Sequence, residues 1–163
     1  MQPSPAKQRA VVLAEFGATM YICQMFESSL CFLHALVSED QNPGSFNASW
    51  DFHSEKTLGA LLHILKQRLP ISADVDALLK EGIRLRNKIV HGYLVRNVER
   101  LKQSKEHAGF LKELRQMKAA IKSSDTAVNE LADTFLANYG LSNELLKENA
   151  EAFLQLARDK GYA

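Results

Sequence analysis

Apolar residues recur at three- and four-residue steps along most of the chain, a spacing that predicts helices. A first helix is expected from about Ala6 to about Ser38, with Val12, Phe16, Met20, Cys23, Phe26, Leu30, Leu33 and Val37 on one stripe. A second series, Ile22, Met25, Phe32 and Leu36, widens that stripe. A helix this apolar packs on two sides, in a bundle centre or at a dimer interface. Glu27 lies inside the apolar surface and needs a partner there. Residues 39–54 carry Asn-Pro-Gly and little periodicity, so they read as a surface loop. Ser54 suits the cap of a second helix, from Glu55 to about Arg68, with Leu58, Leu61, Leu62 and Leu65 on its inner side. Pro70 stops it. Ser72 suits the cap of a third helix, whose Asp74 and Asp76 match the positive dipole end. That helix runs to about His91, where Gly92 offers an end.

A fourth helical region is expected from near Val95 to Tyr139, with a cap and break at Ser123-Ser124-Asp125. Gly140 ends it, and Ser142 suits the cap of a last helix to about Asp159. No repeat and no strand pattern is visible. The expected fold is all-α: an antiparallel bundle of about four to five helices over residues 1–122, with a C-terminal helical extension over 123–163 packed on or beside it.

Composition agrees. The chain has 163 residues, 46% apolar and 24% charged, an ordinary globular balance for one domain. Its four prolines all lie at or before Pro70, which leaves the rest free of the strongest helix breaker. Cys23 and Cys31 are separated by about 12 Å on one helix, too far for a disulfide. They read as reduced core thiols, and the expected compartment is the cytoplasm. The start MQPSPAKQRA has no apolar core of a secretory signal. Residues 18–37 are the best membrane candidate, but they contain Gln24, Glu27, two serines and His34, which favours a buried core helix and no membrane partner.

The third helix breaks its own pattern in the stretch EGIRLRNKIVHGY, residues 81–93. On a helical wheel Leu79, Ile83 and Val90 share an apolar face, and Arg86 points near its centre. Two readings stand. Arg86 is a structural ion-pair member, with Glu27 as a candidate partner, or a site needs a cation fixed there. Asn87 and His91 are four apart and share a helical face, with Arg84 beside them. Arg86 and His91 lie roughly 140° apart on an ideal helix. They converge only through arginine's reach, a loosened last turn near Gly92, or a second copy of the chain. A lone histidine near a helix C-terminus is otherwise a dipole-stabilised surface residue.

The run Arg86-Asn87-Lys88-Ile89-Val90-His91-Gly92-Tyr93 resembles the R-x4–6-H signature of the HEPN superfamily (higher eukaryotes and prokaryotes nucleotide-binding). The fuller form, R-N-x3-H-x-Y, is similar to that of HepT-type toxins of toxin–antitoxin pairs. Arg84 also satisfies a six-residue spacing, but Asn87 directly after Arg86 favours Arg86. The helix order from about residue 8 to 122 fits the family's bundle, and residues 123–163 lie beyond the resemblance. The resemblance implies a homodimeric, metal-independent endoribonuclease with no cofactor, its two motifs facing one cleft. RNA supplies its own nucleophile, the 2′-OH. His91 would then act as general acid or base, Arg86 would stabilise the phosphorus-centred transition state, and Asn87 would orient His91 or the phosphate. The implied products are a 2′,3′-cyclic phosphate and a 5′-hydroxyl. In HepT-like toxins a nucleotidyltransferase antitoxin adds AMP to the tyrosine of this motif, the position that Tyr93 holds. Tyr93 also reads simply as a residue closing the helix end.

Charge bears on the same region. Residues 80–122 hold twelve Lys or Arg and four acidic residues, a local net of +8, whereas the rest of the chain is −7. Arg84, Lys88, Arg96 and Arg100 are the candidate RNA contacts, with Lys102 and Lys105 close by, and such a block attracts phosphate with strong salt dependence. Aromatic residues are nearly absent from it, which disfavours base stacking. No phosphate-binding glycine loop, zinc-ligand spacing or nucleophile elbow occurs. A second reading is a non-catalytic helical module of the same kind, binding nucleotide, RNA or a protein partner.

Overall fold

The chain is described here by a computed structural model covering residues 4–38 and 57–138. Helix α1 spans Pro5–Ser38, α2 Leu58–Arg68 and α3 Ala73–Val90. Two short helices follow, α4 over Tyr93–Arg96 and α5 over Val98–Lys102. A 3₁₀ turn at Ser104–Glu106 leads into α6, His107–Ala137. Among the described residues the protein is all-α, with no strand.

The long helices α1 and α6 form the most extensive contact. Helix α3 packs on α6, and α2 on α1. Phe26, Leu30 and Leu33 of α1 meet Leu61 and Leu65 of α2, Leu79 and Ile89 of α3, and Phe110, Leu114 and Ile121 of α6 in one core. Each such side chain contributes roughly 1.5–3 kcal/mol when fully buried. By length and composition α1 would pass for a bilayer span. Here its apolar stripe is spent on this core, and Cys23, Phe26, Leu30 and Leu33 are fully enclosed.

Local chemistry sets the helix ends. Thr57 caps α2 by accepting from the Ala60 N–H at 3.3 Å, and Ser54 lies outside the described residues. Ser72 caps α3 by accepting from the Val75 N–H at 3.3 Å. Asp76 in the first turn of α3 pairs with Lys66 at 2.9 Å and Lys80 at 2.8 Å, tying α2 to α3. Arg68 donates to the Val37 carbonyl at 3.0 Å and so satisfies one orphan group at the end of α1.

The break expected at Ser123-Ser124-Asp125 does not occur: α6 runs straight through it. Ser123 and Thr126 bond back to the carbonyls of Ala119 and Lys122, so their hydroxyls compete with nothing and the helix continues. The chain turns earlier instead. Asn97 donates its side-chain amide to the Tyr93 carbonyl at 2.8 Å, ending α4, and Gln103 is extended. The boundary expected after Lys122 thus falls inside α6, whose Ser124, Ala127, Val128, Ala132 and Leu136 are buried. The loop at 39–54, the start of the second helix at Glu55, Tyr139 and the helix after Ser142 lie outside the described residues.

Helices α3 and α6 pack closely at Gly82. A Cβ there would lie 2.4 Å from Ser124 Oγ and 2.6 Å from its Cβ. Ser124 in turn bonds to the Leu78 carbonyl at 2.9 Å, so both helices are held at that spacing. In an exposed helix glycine-to-alanine stabilises by about 1 kcal/mol. Here the sign should reverse: Gly82→Ala should lower stability by ~1–3 kcal/mol through overpacking. A urea melt of Gly82→Ala that is unchanged or more stable would show that the contact is slack.

Candidate functional site

The end of α3 is built around one ion pair. Arg86 Nη2 meets Glu27 Oε2 at 2.5 Å, bridging α3 to α1. Arg86 Nη1 is also held by Asn87 Oδ1 at 3.1 Å. The Arg86 side chain is 15% exposed and that of Glu27 38%, so the pair sits at a rim that water reaches from the Glu27 side. The inner line of α3 is Leu79, Gly82, Leu85 and Ile89. Arg86 therefore flanks the apolar face and does not occupy its centre. Glu27 lies midway between Cys23 and Cys31, one turn from each, and both thiols are buried. Burial pushes the Cys23 thiol up to about 11 and raises Cys31 as well, which leaves both protonated near neutrality.

His91 caps the C-terminus of α3. Its backbone N–H keeps the last helical bond, to the Asn87 carbonyl at 3.1 Å. Its own angles, φ −89° and ψ 62°, with the Gly92 N–H on the Val90 carbonyl at 3.1 Å, form an inverse γ-turn. Gly92 follows at φ +83°, a left-handed conformation that favours glycine. This is the loosened last turn, and it takes His91 out of the helical register it would share with Asn87. His91 and Asn87 are exposed. The imidazole makes no hydrogen bond or ion pair among the described residues.

Tyr93 turns the other way. It is 2% exposed, with its ring 5.7 Å from that of Phe110. Its hydroxyl is buried, with no hydrogen bond of ordinary geometry among the described residues. Burial first, and then the neighbouring Glu113 carboxylate, push the phenol well above its ordinary range. The candidate modification position is thus enclosed, and an enzyme would reach the hydroxyl only after α4 left α6.

Carboxylates hold most of the basic block. Arg84 forks onto Glu81 at 2.6 and 2.7 Å. Lys88 pairs with Glu113 at 3.1 Å, and Arg100 pairs with the same carboxylate at 2.7 Å. Lys102 meets Glu99, and Glu15 takes both Arg115 and Lys118. Of the four candidate RNA contacts, only Arg96 has no carboxylate partner among the described residues; it donates to the Lys88 carbonyl at 3.3 Å. Sequence reading missed Glu113. Its signal was present: a lone acid among Lys112, Arg115 and Lys118 on a helix that must pack beside the motif.

A water-facing strip on α1 completes the region. Between Arg9 and Glu27 the exposed side chains carry no charge. Leu13, Gly17, Tyr21 and Met25 follow at four-residue steps, and Tyr21 is 60% exposed. The only charge in that stretch, Glu15, is turned to α6. Among the described residues no three His, Cys, Asp or Glu side chains converge as a metal site would require. Comparison of the chain with protein-family models, curated proteins and solved structures finds no match.

The Glu113 cluster predicts a pH dependence. Burial raises the Glu113 carboxyl, but hydrogen bonds from Arg100 and Lys88 outweigh it, and the pKa lies below the ordinary value. Its contribution to stability is therefore full above the unfolded glutamate pKa of about 4.3 and is lost as pH falls through the lower folded value. Glu15, lowered mainly by Lys118, acts in the same direction. Urea melts on the acid side of about pH 5 should show stability falling, and Glu113→Gln should flatten part of that fall. An identical acid profile in Glu113→Gln would mean that the cluster contributes nothing.

Proposed function

We propose that this protein is an endoribonuclease of the HEPN type, acting as the toxin of a toxin–antitoxin or phage-defence system. The observation that carries the reading is the end of α3, where Arg86 is held by Glu27 and Asn87 and, five residues on, an exposed His91 leaves the helix by a γ-turn. His91 is the proton-transfer group, since an imidazole can both accept and donate a proton. Arg86 supports the charge that develops on the phosphate, with the planar fork that phosphate oxygens match. Asn87 fixes the guanidinium from its Nη1 side. The reading requires no metal and no cofactor.

Two copies of the chain complete the proposed site. The uncharged strip on α1 ends at Met25, two residues before Glu27, so a partner seated along it reaches the level of the ion pair on α1, with Glu27 turned to another side of the helix. The proposal pairs two chains symmetrically through this strip, since the resemblance of the motif implies two motifs facing one cleft. Tyr93 enters the proposal in a narrower form than the motif suggests. A nucleotidyltransferase antitoxin would act on a state in which α4 has opened, because the closed state encloses the phenol.

One observation favours a second reading, a non-catalytic module that binds nucleotide, RNA or a protein partner. Four cations of the basic block, Arg84, Lys88, Arg100 and Lys102, are paired with Glu81, Glu99 and Glu113, which weakens the field available to RNA. Mutation separates the two. His91→Ala should cut RNA cleavage by roughly 10²–10⁴-fold and leave the melt unchanged. Arg86→Ala should cut it by about 10²–10³-fold. Gly17→Arg, at a position where an added Cβ meets nothing within 4 Å in the protomer, should give a monomer by light scattering and lose cleavage with it. Cleavage that survives His91→Ala, or a fully active monomer, would contradict the reading.

A further inference from the structure

We propose that Glu27 is a built-in competitor for the anion that Arg86 would take, so that RNA phosphate enters only when the Glu27 carboxylate leaves. The inference rests on the reading of Arg86 as the phosphate-binding group. A carboxylate and a phosphate oxygen seek the same N–H groups of a guanidinium. In this structure Glu27 Oε2 holds Nη2 at 2.5 Å, and Asn87 holds Nη1. Nε is buried and has no partner among the described residues. The solvent-facing bond of the fork is therefore occupied by an anion of the same chain.

The two members of the pair are not equally free to move. Arg86 is 15% exposed, packed at the edge of the α3 face and held by Asn87, whereas Glu27 is 38% exposed and has no second partner among the described residues. Glu27 can swing into water without opening the core. Its neighbours one turn away on either side, Cys23 and Cys31, stay buried. While Glu27 stays, its charge repels a phosphate brought to the same spot. Binding then becomes an exchange of one anion for another, and the apparent affinity falls by the fraction of time the pair is open. A pair closed nine-tenths of the time weakens binding about tenfold.

The test measures binding without cleavage. A short fluorescent 2′-O-methyl RNA lacks the nucleophile, so anisotropy reads the equilibrium alone. Glu27→Gln keeps the side chain's shape and removes its charge. It should bind this RNA about tenfold tighter than the unaltered chain. The gain should vanish when Arg86→Ala is added to both arms. A folded Glu27→Gln that binds no tighter overturns the proposal. So does a gain that persists without Arg86, since that is bulk charge alone. A second measurement needs no variant: the carboxyl carbon of Glu27, followed by NMR in the unaltered chain, should shift as RNA is added. RNA that saturates while that signal stays in place overturns the proposal. Tighter binding in Glu27→Gln without cleavage of ordinary RNA by any form would sink the ribonuclease reading and leave the competitor role standing. Cleavage by the unaltered chain with unchanged Glu27→Gln binding would do the reverse.

Discussion

An arginine at the edge of an apolar helix face needs an anion, because its charge cannot be left without a partner there. Glu27 is that anion, and the geometry of the site follows from it. The pair joins α1 to α3 one helical turn beyond the close contact of Gly82 with Ser124. The α3 backbone is thus fixed on two sides, by Ser124 of α6 and by Glu27 of α1. Asn87, His91 and Gly92 are then placed by a rigid element, the arrangement that a reactive or binding constellation requires. Because Glu27 keeps access to water, the pair is not the dry kind whose disruption strands a charge in the core. It holds Arg86 in place while leaving it open to exchange.

A second cluster supports the far side of α3. Glu113 draws Lys88 of α3 and Arg100 of α5 to α6, and the Lys88 ammonium lies 5.4 Å from the centre of the Tyr93 ring. Arg100 covers Phe110 at 4.7 Å. One carboxylate therefore closes the short helices α4 and α5 over the core and encloses the phenol. The cost is electrostatic: the same carboxylate neutralises two cations that would otherwise face a polyanion. Stability of the α4–α5 turn and strength of the basic field are in tension here, and the structure favours the turn.

Much of this was readable from residue order alone. Three- and four-step spacing gave α1 within a residue or two, because its apolar stripe is long and uninterrupted. Ser72 with Asp74 and Asp76 marked the start of α3, and the need of Glu27 for a partner was visible from its apolar neighbours. The failures have physical causes. Ser123-Ser124-Asp125 has the composition of a helix start, but tertiary contact with Leu78 and bonding back to preceding carbonyls keep the helix whole. Asn97 and Gln103 carry no breaker signature, and the chain turns there because Asn97 binds the Tyr93 carbonyl and Arg100. A helical wheel puts Arg86 at the centre of the α3 face only when Ile83 and Val90 count equally with Gly82. A glycine that buries against a neighbouring helix looks polar-neutral in sequence, yet it marks the true centre. Beyond the Arg86–Glu27 pair, the long-range pairing of the basic block is not legible in the sequence, since Glu15 and Glu113 reach it from other turns and other helices.

In the proposed function the end of α3 would cleave RNA with the substrate's own 2′-OH, His91 moving the proton and Arg86 supporting the phosphate. Mass spectrometry of the RNA ends produced by the unaltered protein in EDTA tests it most directly. Fragments should end in a 2′,3′-cyclic phosphate, each followed by a fragment that begins with a 5′-hydroxyl. Fragments with 3′-hydroxyl and 5′-phosphate ends, or fragments that form only when Mg²⁺ is added, would contradict it.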